Sequence, residues 1–216
     1  MRNNIHKENK TYSTSASKTR ARIIKAARKV FVAKGFNGSS MRDIANQAKV
    51  TQSLLHHHFG NKKALWQLVK HELLNQYFQD IERQLEQNEH DGRELGLEAT
   101  IEYRFRFMQN NPDVVRMSLW QRLDNFQSAS TRHGKSLLKV LIADIAKAQQ
   151  KGELSKDIEA EMLVVIIFIL TSGWFAQEYQ WVLEQSDKPR NKRQDTEDYL
   201  EAIKKILARG IAPTRD

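Results

Sequence analysis

Two helix-capping residues lie so close together near the N-terminus that only short helices fit between and after them. Ser40 is followed three residues later by Asp43, which is the spacing of a capping box with a shorter acidic side chain. Thr51 can cap a second helix. Two capped helices of about two turns each, joined by a tight turn, predict a helix-turn-helix unit within residues 39–63. A unit of this size cannot bury a core of its own, so it must pack on another helix.

The segment before this unit has the pattern of that helix. Apolar residues recur at helical spacing between Lys18 and Lys34, and Gly35 is placed to end the helix. The apolar stripe comprises Ile23, Ile24, Ala27, Val30 and Phe31, and we expect it to meet Ile44, Ala45, Ala48, Leu55 and Phe59. The sequence therefore predicts a three-helix unit over residues 18–60.

The positive charge of the chain is concentrated in its first third. The 216 residues carry a net charge of +9; residues 1–62 hold 13 Lys and Arg against 2 acidic residues, and residues 63–216 hold 22 against 24. A basic block in one compact region is typical of a surface that contacts phosphates. A basic solvated tail is the alternative interpretation, but it accounts only for Arg2, Lys7 and Lys10.

The second short helix separates into a buried face and a polar face. Leu55 and Phe59 are four residues apart and share the face that packs on the core. The side chains that then point outward are Gln52, Ser53, His56 and His57. Polar residues face solvent on any small helix, but the basic charge and the two caps favour a recognition helix in the major groove of DNA.

Three segments of this region resemble the N-terminal DNA-binding domain of the TetR/AcrR family of bacterial transcriptional regulators. They are AARKVFVAKGF, SSMRDIANQAKV and TQSLLHHHFGNKKALW, in the family's order and spacing over residues 18–66. The resemblance implies that Ser39 or Ser40, Arg42, His56 and Lys62 hold the DNA backbone, and that Gln52, Ser53 and His57 meet bases. The predicted DNA-binding residues are Ser39, Ser40, Arg42, Lys49, Thr51, Gln52, Ser53, His56, His57 and Lys62.

Two residues depart from the family's pattern. Lys49 stands where the family usually has a glycine, at a turn position expected to need a positive φ, which costs a non-glycine residue about 1 kcal/mol. We expect Lys49 to add a contact to a phosphate. His56 replaces a tyrosine and retains a ring with a hydrogen-bonding atom, but the charge of histidine depends on pH.

The sequence gives little support to a metal site or an enzyme. His56, His57 and His58 are consecutive, so their side chains project about 100° apart on a helix and cannot converge on one ion. His71 and Glu72 begin a zinc-protease motif, but Asn75 stands where its second histidine belongs. The chain has no cysteine, no glycine-rich phosphate loop and no nucleophile elbow. We predict no metal, no cofactor and no enzymatic activity.

The rest of the chain predicts further helices and no strands. The expected helices cover residues 63–88, 93–110, 112–124, 129–151, 157–184 and 196–209. The fold class is therefore all-α, with an N-terminal three-helix helix-turn-helix DNA-binding domain and a larger C-terminal helical domain for ligand binding and dimerisation. The expected divisions are a flexible polar arm over residues 1–17, the DNA-binding domain over 18–62, the C-terminal domain over 63–210 and a tail over 211–216.

The segment MLVVIIFIL within the helix predicted over residues 157–184 is apolar all the way round. It is too short and too interrupted to cross a bilayer, and the N-terminus has no apolar core of a secretory signal, so we expect a cytoplasmic protein with no membrane partner. A soluble helix of this kind must be covered on every side. The predicted dimer interface comprises Val165, Ile169, Gly173, Tyr199, Ile203, Ile206 and Leu207. A monomer with a central core helix is the alternative.

In the family that this chain resembles, the middle helices enclose a cavity for a small effector. The residues that would line it here are Tyr103, Phe105, Met108, Met117, Trp120, Phe168 and Trp174, although aromatic residues at helical spacing are often plain core. We expect a homodimeric regulator, a repressor that binds a palindromic double-stranded DNA operator and is released by a small-molecule effector. The alternatives are an activator of the same fold, a helical protein that binds DNA without sequence preference, and an enzyme acting on nucleic acid.

Overall fold

The computed structural model describes residues 2–90, 96–124, 132–176, 179–185 and 187–210. Across these residues the elements are all helices, and the predicted all-α class is confirmed. They are α1 (Arg2–Lys34), α2 (Met41–Ala48), α3 (Gln52–Phe59), α4 (Lys62–His90), α5 (Leu97–Asn110), α6 (Pro112–Leu123), α7 (Arg132–Gln150), α8 (Ala160–Ala176), α9 (Gln180–Leu183) and α10 (Lys192–Gly210). No helix within the described ranges is both long and apolar enough to span a bilayer.

The first helix is longer than the sequence pattern predicts. α1 begins at Arg2, so residues 2–17 continue the helix instead of forming the predicted flexible arm. The physical reason is that residues 2–34 contain neither glycine nor proline, and nothing in the chain ends the helix before Gly35. The predicted tail over residues 211–216 lies outside the described residues, as do residues 91–95 at the junction of the helices predicted over 63–88 and 93–110.

The described residues form two compact units. Residues up to Leu74 together with residues 116–124 form one unit, here called the head. The remaining residues from Asn75 to Val115, together with residues 132–210, form the other, here called the body. The head therefore extends past residue 62, where the sequence pattern places the division, and includes the first part of α4 and the second part of α6.

The head extends into α4 because the core of the head needs that helix. Trp66 is fully buried, and its ring meets Phe31 edge-on with 4.9 Å between centroids. Phe36 meets the same indole edge-on at 5.6 Å. The predicted stripe of α1 is buried as expected, and the fully buried apolar side chains of the head are Ile23, Ala27, Phe31, Ile44, Leu55, Leu65 and Trp66.

The second part of α6 is held to the end of α1 by hydrogen bonds. Asp124 Oδ2 accepts from the backbone N–H groups of Phe36 at 2.8 Å and Asn37 at 3.0 Å. The indole N–H of Trp120 donates to Val32 O at 3.1 Å. A Cβ on Gly35, whose φ is +72°, would come within 2.8 Å of the Trp120 ring, so this position needs glycine for space as well as for conformation. Here we call this set of contacts the α6 clamp.

The body is built around a core shared by α5, α7, α8 and α10. Its most deeply buried apolar side chains are Ile101, Phe105, Leu163, Ile167, Leu200 and Ile203. Ion pairs link α5 to α10 at the edge of this core. Lys204 Nζ donates to Glu102 at 2.7 Å, and Arg106 forms a bidentate ion pair with Glu197 at 2.5 Å. The hydrogen bond from Lys204 lowers the pKa of Glu102, and the one from Arg106 lowers the pKa of Glu197.

α8 leaves part of its apolar surface uncovered. Met162, Val165 and Ile169 fall on one face of the helix and are 52%, 47% and 62% exposed. Ile206 of α10 is 64% exposed. The long helix predicted over residues 157–184 ends at Ala176, and α9 is a separate short helix.

The other four predicted dimer residues make contacts within their own subunit. Ile203 and Leu207 are buried in the core cluster, because the apolar stripe of α10 packs on its own subunit. The Tyr199 hydroxyl donates to Leu170 O at 2.9 Å. A Cβ on Gly173 would lie 3.7 Å from the Tyr179 hydroxyl. Of the seven predicted positions, Val165, Ile169 and Ile206 are exposed, and Gly173 and Tyr199 are half-buried.

Candidate nucleic-acid interface

The start of α2 is fixed by a reciprocal cap. Ser40 Oγ accepts from the Asp43 backbone N–H at 3.0 Å, while Asp43 Oδ2 accepts from the Ser40 backbone N–H at 3.0 Å and from its hydroxyl at 2.7 Å. The predicted capping box is confirmed. These bonds to Ser40, and a further one from Lys34, lower the pKa of Asp43. Arg42 follows the cap and is exposed on the outside of the first turn.

Lys49 lies in the turn between the two short helices. Its φ of 54° and ψ of 51° are left-handed, which confirms the predicted positive φ. Its backbone N–H closes α2 by donating to Asn46 O at 3.1 Å. The side chain is exposed, so its charge is available at the surface beside the start of α3.

Replacing Lys49 with glycine should raise the stability of the head. A left-handed φ costs a residue with a Cβ on the order of 1 kcal/mol, and glycine adopts it freely. Thermal unfolding should therefore shift upward by a few degrees. If Lys49 meets a phosphate, the same variant should lose about 0.9 per subunit from the slope of log affinity against log salt.

Lys49→Asn is the matched control for these two effects. Asparagine tolerates a left-handed φ and removes the charge, so it should lower the salt slope as glycine does while changing stability less. An unchanged melting temperature in Lys49→Gly would show that the turn is not strained. An unchanged slope in both variants would exclude Lys49 from the DNA contacts.

α3 presents a polar surface and is anchored by apolar residues. Thr51 Oγ1 accepts from the Leu54 backbone N–H at 3.2 Å, so the predicted cap is confirmed. Leu55 is fully buried and Phe59 is 8% exposed. The four predicted outward residues, Gln52, Ser53, His56 and His57, are all exposed. The helix therefore offers hydrogen-bonding groups from its first turn onward.

The histidines of α3 have distinct surroundings. His56 Nδ1 is 2.7 Å from the backbone oxygen of Gly60. Because a carbonyl only accepts, Nδ1 must carry the hydrogen, and in the neutral ring Nε2 is an acceptor. The rings of His57 and His58 are 5.6 Å apart, and in the described part of the chain no three His, Asp or Glu side chains are grouped to hold a metal.

Two of the predicted DNA-binding side chains are engaged inside the head. Ser39 is 4% exposed, and its hydroxyl donates to Phe36 O at 2.9 Å. Lys62 donates to Phe36 O and to Ser39 O, both at 2.8 Å, and its ammonium lies 4.4 Å from the centroid of the Phe36 ring. Both side chains thus hold the loop between α1 and α2. Sequence reasoning missed this role because no local pattern shows where Lys62 reaches.

A basic groove on the head also escaped the sequence pattern. It has a volume of about 420 Å³ and lies between α1 and α4. Arg20, Lys25 and Arg28 line it, together with Glu72, and Arg20 Nη1 is 3.9 Å from the Glu72 carboxylate. The sequence shows these bases only as part of the basic block of the first third, and no local pattern indicates that Glu72 of α4 faces them.

The residues predicted to line an effector cavity are divided between the two units. Met117 and Trp120 belong to the head, where Trp120 is part of the α6 clamp. Phe105 is fully buried in the body core, and Met108 is 6% exposed. The remaining three also lie on the body: Tyr103 donates to Asp80 at 2.8 Å, Phe168 lies under the Arg104 guanidinium, and Trp174 stacks on Tyr199 at 4.5 Å.

Two family models match the chain. Residues 23–69 match the model of bacterial regulatory proteins of the tetR family, and residues 101–206 match the tetracyclin repressor-like C-terminal domain. Among curated proteins, the chain is 29% identical over 170 residues to the HTH-type transcriptional regulator UidR of Escherichia coli K12. That alignment covers 76% of this chain and 83% of UidR.

Solved structures with the same fold are also found. The Streptomyces coelicolor protein SCO4942 has a TM-score of 0.66 and 19% identity, with 88% of this chain and 99% of that chain covered. The transcriptional regulator FadR from Bacillus subtilis, solved in complex with stearoyl-CoA, has a TM-score of 0.62 and 19% identity, with 88% and 98% covered. At these identities the likeness establishes the fold alone.

Proposed function

Because this chain belongs to the TetR family of bacterial transcription regulators, we propose that it is a repressor that binds a palindromic operator as a homodimer. In this proposal a small molecule binds the body and releases the operator. The family membership supplies the general role, regulation of transcription through DNA. The finer statements about operator, effector and direction of regulation are our inference.

The observation that carries the proposal is the surface of α3. Its two apolar residues hold the helix to the head, and Gln52 and Ser53 are exposed in the first turn, where a recognition helix reaches base edges. Glutamine can make paired hydrogen bonds to adenine, and serine can bond to several bases. Arg42 and Lys49 are exposed nearby and carry charges suited to the flanking phosphates.

Dimerisation supports the proposed palindrome. The exposed apolar residues Val165 and Ile169 of α8 and Ile206 of α10 would be covered by the same surface of a second subunit. Two related subunits present two recognition helices, and their half-sites would lie about 34 Å apart or somewhat more. An operator of this kind reads the same on both strands.

Selection of bound fragments from the source genome tests the proposal. The purified full-length protein should enrich fragments that share one palindrome, and it should prefer that palindrome over bulk DNA by about 10³ or more. With about four phosphates contacted by each subunit, the slope of log affinity against log salt should be near −7. No shared sequence, with equal affinity for all fragments, would favour a protein that binds DNA without sequence preference. Transcription from the selected promoter in the presence of the protein separates a repressor from an activator.

The exposed side chains of His56 and His57 should contribute to operator affinity. Because His56 Nδ1 donates to Gly60 O, Nε2 is the ring nitrogen left for a contact with DNA. Losing both rings should weaken operator binding about 3-fold to 10-fold, measured by fluorescence anisotropy at fixed salt and pH.

A double variant, His56→Ala with His57→Ala, tests this contribution. His58→Ala is the matched control on the same helix, and it should retain native affinity because His58 is partly covered beside Phe59. If the double variant binds the operator as tightly as the native protein, the two histidines do not contact the DNA.

A further inference from the structure

Arg104 is buried in the middle of the body, although an arginine is almost never buried unless an opposite charge pairs with it. It lies on α5 and is only 8% exposed. Its guanidinium carbon is 3.5 Å from the centroid of the Phe168 ring, and its Nε donates to Thr171 Oγ1 at 3.0 Å. Both partners are on α8. The positive charge is thus fixed in position between the two helices.

Among the described residues, the groups that contact Arg104 are all uncharged. Besides Phe168 and Thr171, the guanidinium has a hydrogen bond with Tyr77 of α4. Thr171 is fully buried and donates onward to Ile167 O at 2.6 Å, so its hydroxyl is committed to the helix. Burial lowers the pKa of Arg104, but a guanidinium keeps its proton in proteins. Within the described residues no carboxylate pairs with this cation.

The neighbouring charges of the body are arranged differently. Arg106, two residues further along α5, pairs with Glu197, and Lys204 pairs with Glu102. Asp80 accepts from the Tyr103 hydroxyl and forms an ion pair with Arg83. Each of these charges has an opposite charge beside it. A buried ion without one is unfavourable, so an anion from outside the chain would gain by binding there.

We propose that the effector of this regulator carries an anionic group, a carboxylate or a phosphate, and that this group pairs with Arg104. This rests on the proposed function, in which an effector binds the body. The planar guanidinium suits two oxygens of either group, and the donors that would meet them are those not used by Thr171 and Tyr77. An amide or an alcohol at the same place would leave the charge uncompensated.

The surroundings of Arg104 also indicate the chemistry of the rest of the effector. The ring of Phe168 contacts the guanidinium, and the Tyr77 side chain is hydrogen-bonded to it. Tyr77 itself meets Tyr103 and Phe107 with ring centroids 5.7 Å and 4.7 Å away. Phe168 and Tyr103 are half-buried, so a ligand can approach the buried charge along side chains that solvent already reaches. The class that fits is a small organic anion with an apolar or aromatic body.

Binding at Arg104 can also explain release of DNA. An anion paired with the remaining donors of the guanidinium attracts the Arg104 side chain away from Thr171 and Phe168, so the contact between α5 and α8 would change. Such a ligand shifts the equilibrium between the DNA-binding and non-binding conformations only if it binds the non-binding conformation more tightly. Binding of the anion and release of the operator can therefore be measured separately.

Thermal unfolding of the full-length protein with matched probes tests the site without the operator. The probes are phenylbutyrate and phenyl phosphate, which are anionic, and phenylbutanol, which has a similar apolar body and no charge. The native protein should melt about 3 °C or more higher with a saturating anionic probe and should show little change with the alcohol. The carboxylate and phosphate arms show which oxyanion the site prefers.

Arg104→Met is the decisive variant, and Arg106→Met is its matched control. Methionine fills the apolar surroundings without a charge, so Arg104→Met should melt at the native temperature or above it and should lose the response to both anionic probes. Arg106→Met removes a partly exposed ion pair on the same helix and should keep the response. Arg104→Lys keeps the charge without the fork and should respond more weakly.

Two outcomes would overturn the inference. One is that no anionic probe raises the melting temperature of the native protein above the shift given by the alcohol. The other is that Arg104→Met melts several degrees lower and responds to the probes as the native protein does, which is the result for a purely structural arginine. Fluorescence anisotropy with the selected operator tests the proposed function separately. Arg104→Met should still bind the operator. If the native protein shows no sequence preference, the proposed regulatory function is wrong, but the result with the anionic probes remains valid.

Discussion

Ile169→Glu is expected to convert the proposed dimer to a monomer and to lower the affinity for the proposed palindromic operator at least about 100-fold. Ile169 is 62% exposed on the uncovered face of α8, next to Val165 one turn away. In the proposed interface, the variant places two carboxylates in an apolar contact, and each buried unpaired charge costs several kcal/mol. Sedimentation equilibrium measures the dimer, and anisotropy with full and half operators measures the loss.

Val140→Glu is the matched control for this prediction. Val140 is also an exposed apolar residue of the body, at 37%, but it lies on α7 and not on the uncovered face of α8. It should leave the dimer and the operator affinity unchanged within about 0.5 kcal/mol. If Ile169→Glu remains dimeric with native operator affinity, the uncovered face of α8 is not the interface and Val165, Ile169 and Ile206 need another explanation.

Trp66→Ala should produce the largest loss of stability in the head, about 3 to 5 kcal/mol. The indole is fully buried and meets Phe31 and Phe36 edge-on, so truncation removes both ring contacts and leaves a cavity. Because whole domains are stable by only about 5 to 15 kcal/mol, the head should unfold partly at physiological temperature. Hydrogen exchange in α1 to α4 reports this directly, and operator binding should fall with it.

Trp181→Ala is the control for removing an indole side chain, because Trp181 is 66% exposed and its truncation removes few contacts. It should change the free energy of unfolding by no more than about 0.5 kcal/mol. Trp66→Phe should fall between the two, because a smaller ring refills part of the space. Native hydrogen exchange in the head of Trp66→Ala would show that the core tolerates the cavity and would contradict the packing argument.

The local signals of the helix-turn-helix were predictable because each depends on residues close in sequence. The Ser40 cap, the Thr51 cap and the left-handed Lys49 follow from side-chain reach and backbone sterics over a few residues. The burial of Leu55 and Phe59 follows from helical spacing. The outward face of α3 is therefore encoded locally, by the residues of the helix itself.

The role of Lys62 and of α6 could not be predicted in the same way. Lys62 binds carbonyl groups 23 and 26 residues away, and Asp124 binds amides 87 and 88 residues away. No periodic pattern encodes such pairings, because they depend on how the helices are placed. For the same reason Trp120 was assigned to an effector cavity by its aromatic character, although it packs on the end of α1.

In the body, the sequence pattern did not separate buried from exposed apolar residues. The spacing of apolar residues identified α8 and α10 as helices with apolar surfaces, but it did not separate the side that packs within the subunit from the side that stays exposed. Ile203 and Ile206 are three residues apart, yet one is 2% and the other 64% exposed. Arg104 was overlooked because a single charge in an aromatic segment reads as a surface residue until its burial is known.

The α6 clamp determines which piece of this chain can be exchanged with another regulator. A hybrid made by joining residues 1–62 to a different partner would lose the carboxylate of Asp124, and the amides of Phe36 and Asn37 would lose their acceptor. It would also lose Trp66 from the core. The transferable module is thus discontinuous in sequence, and recombination or engineering that preserves DNA recognition must carry residues 116–124 along with it.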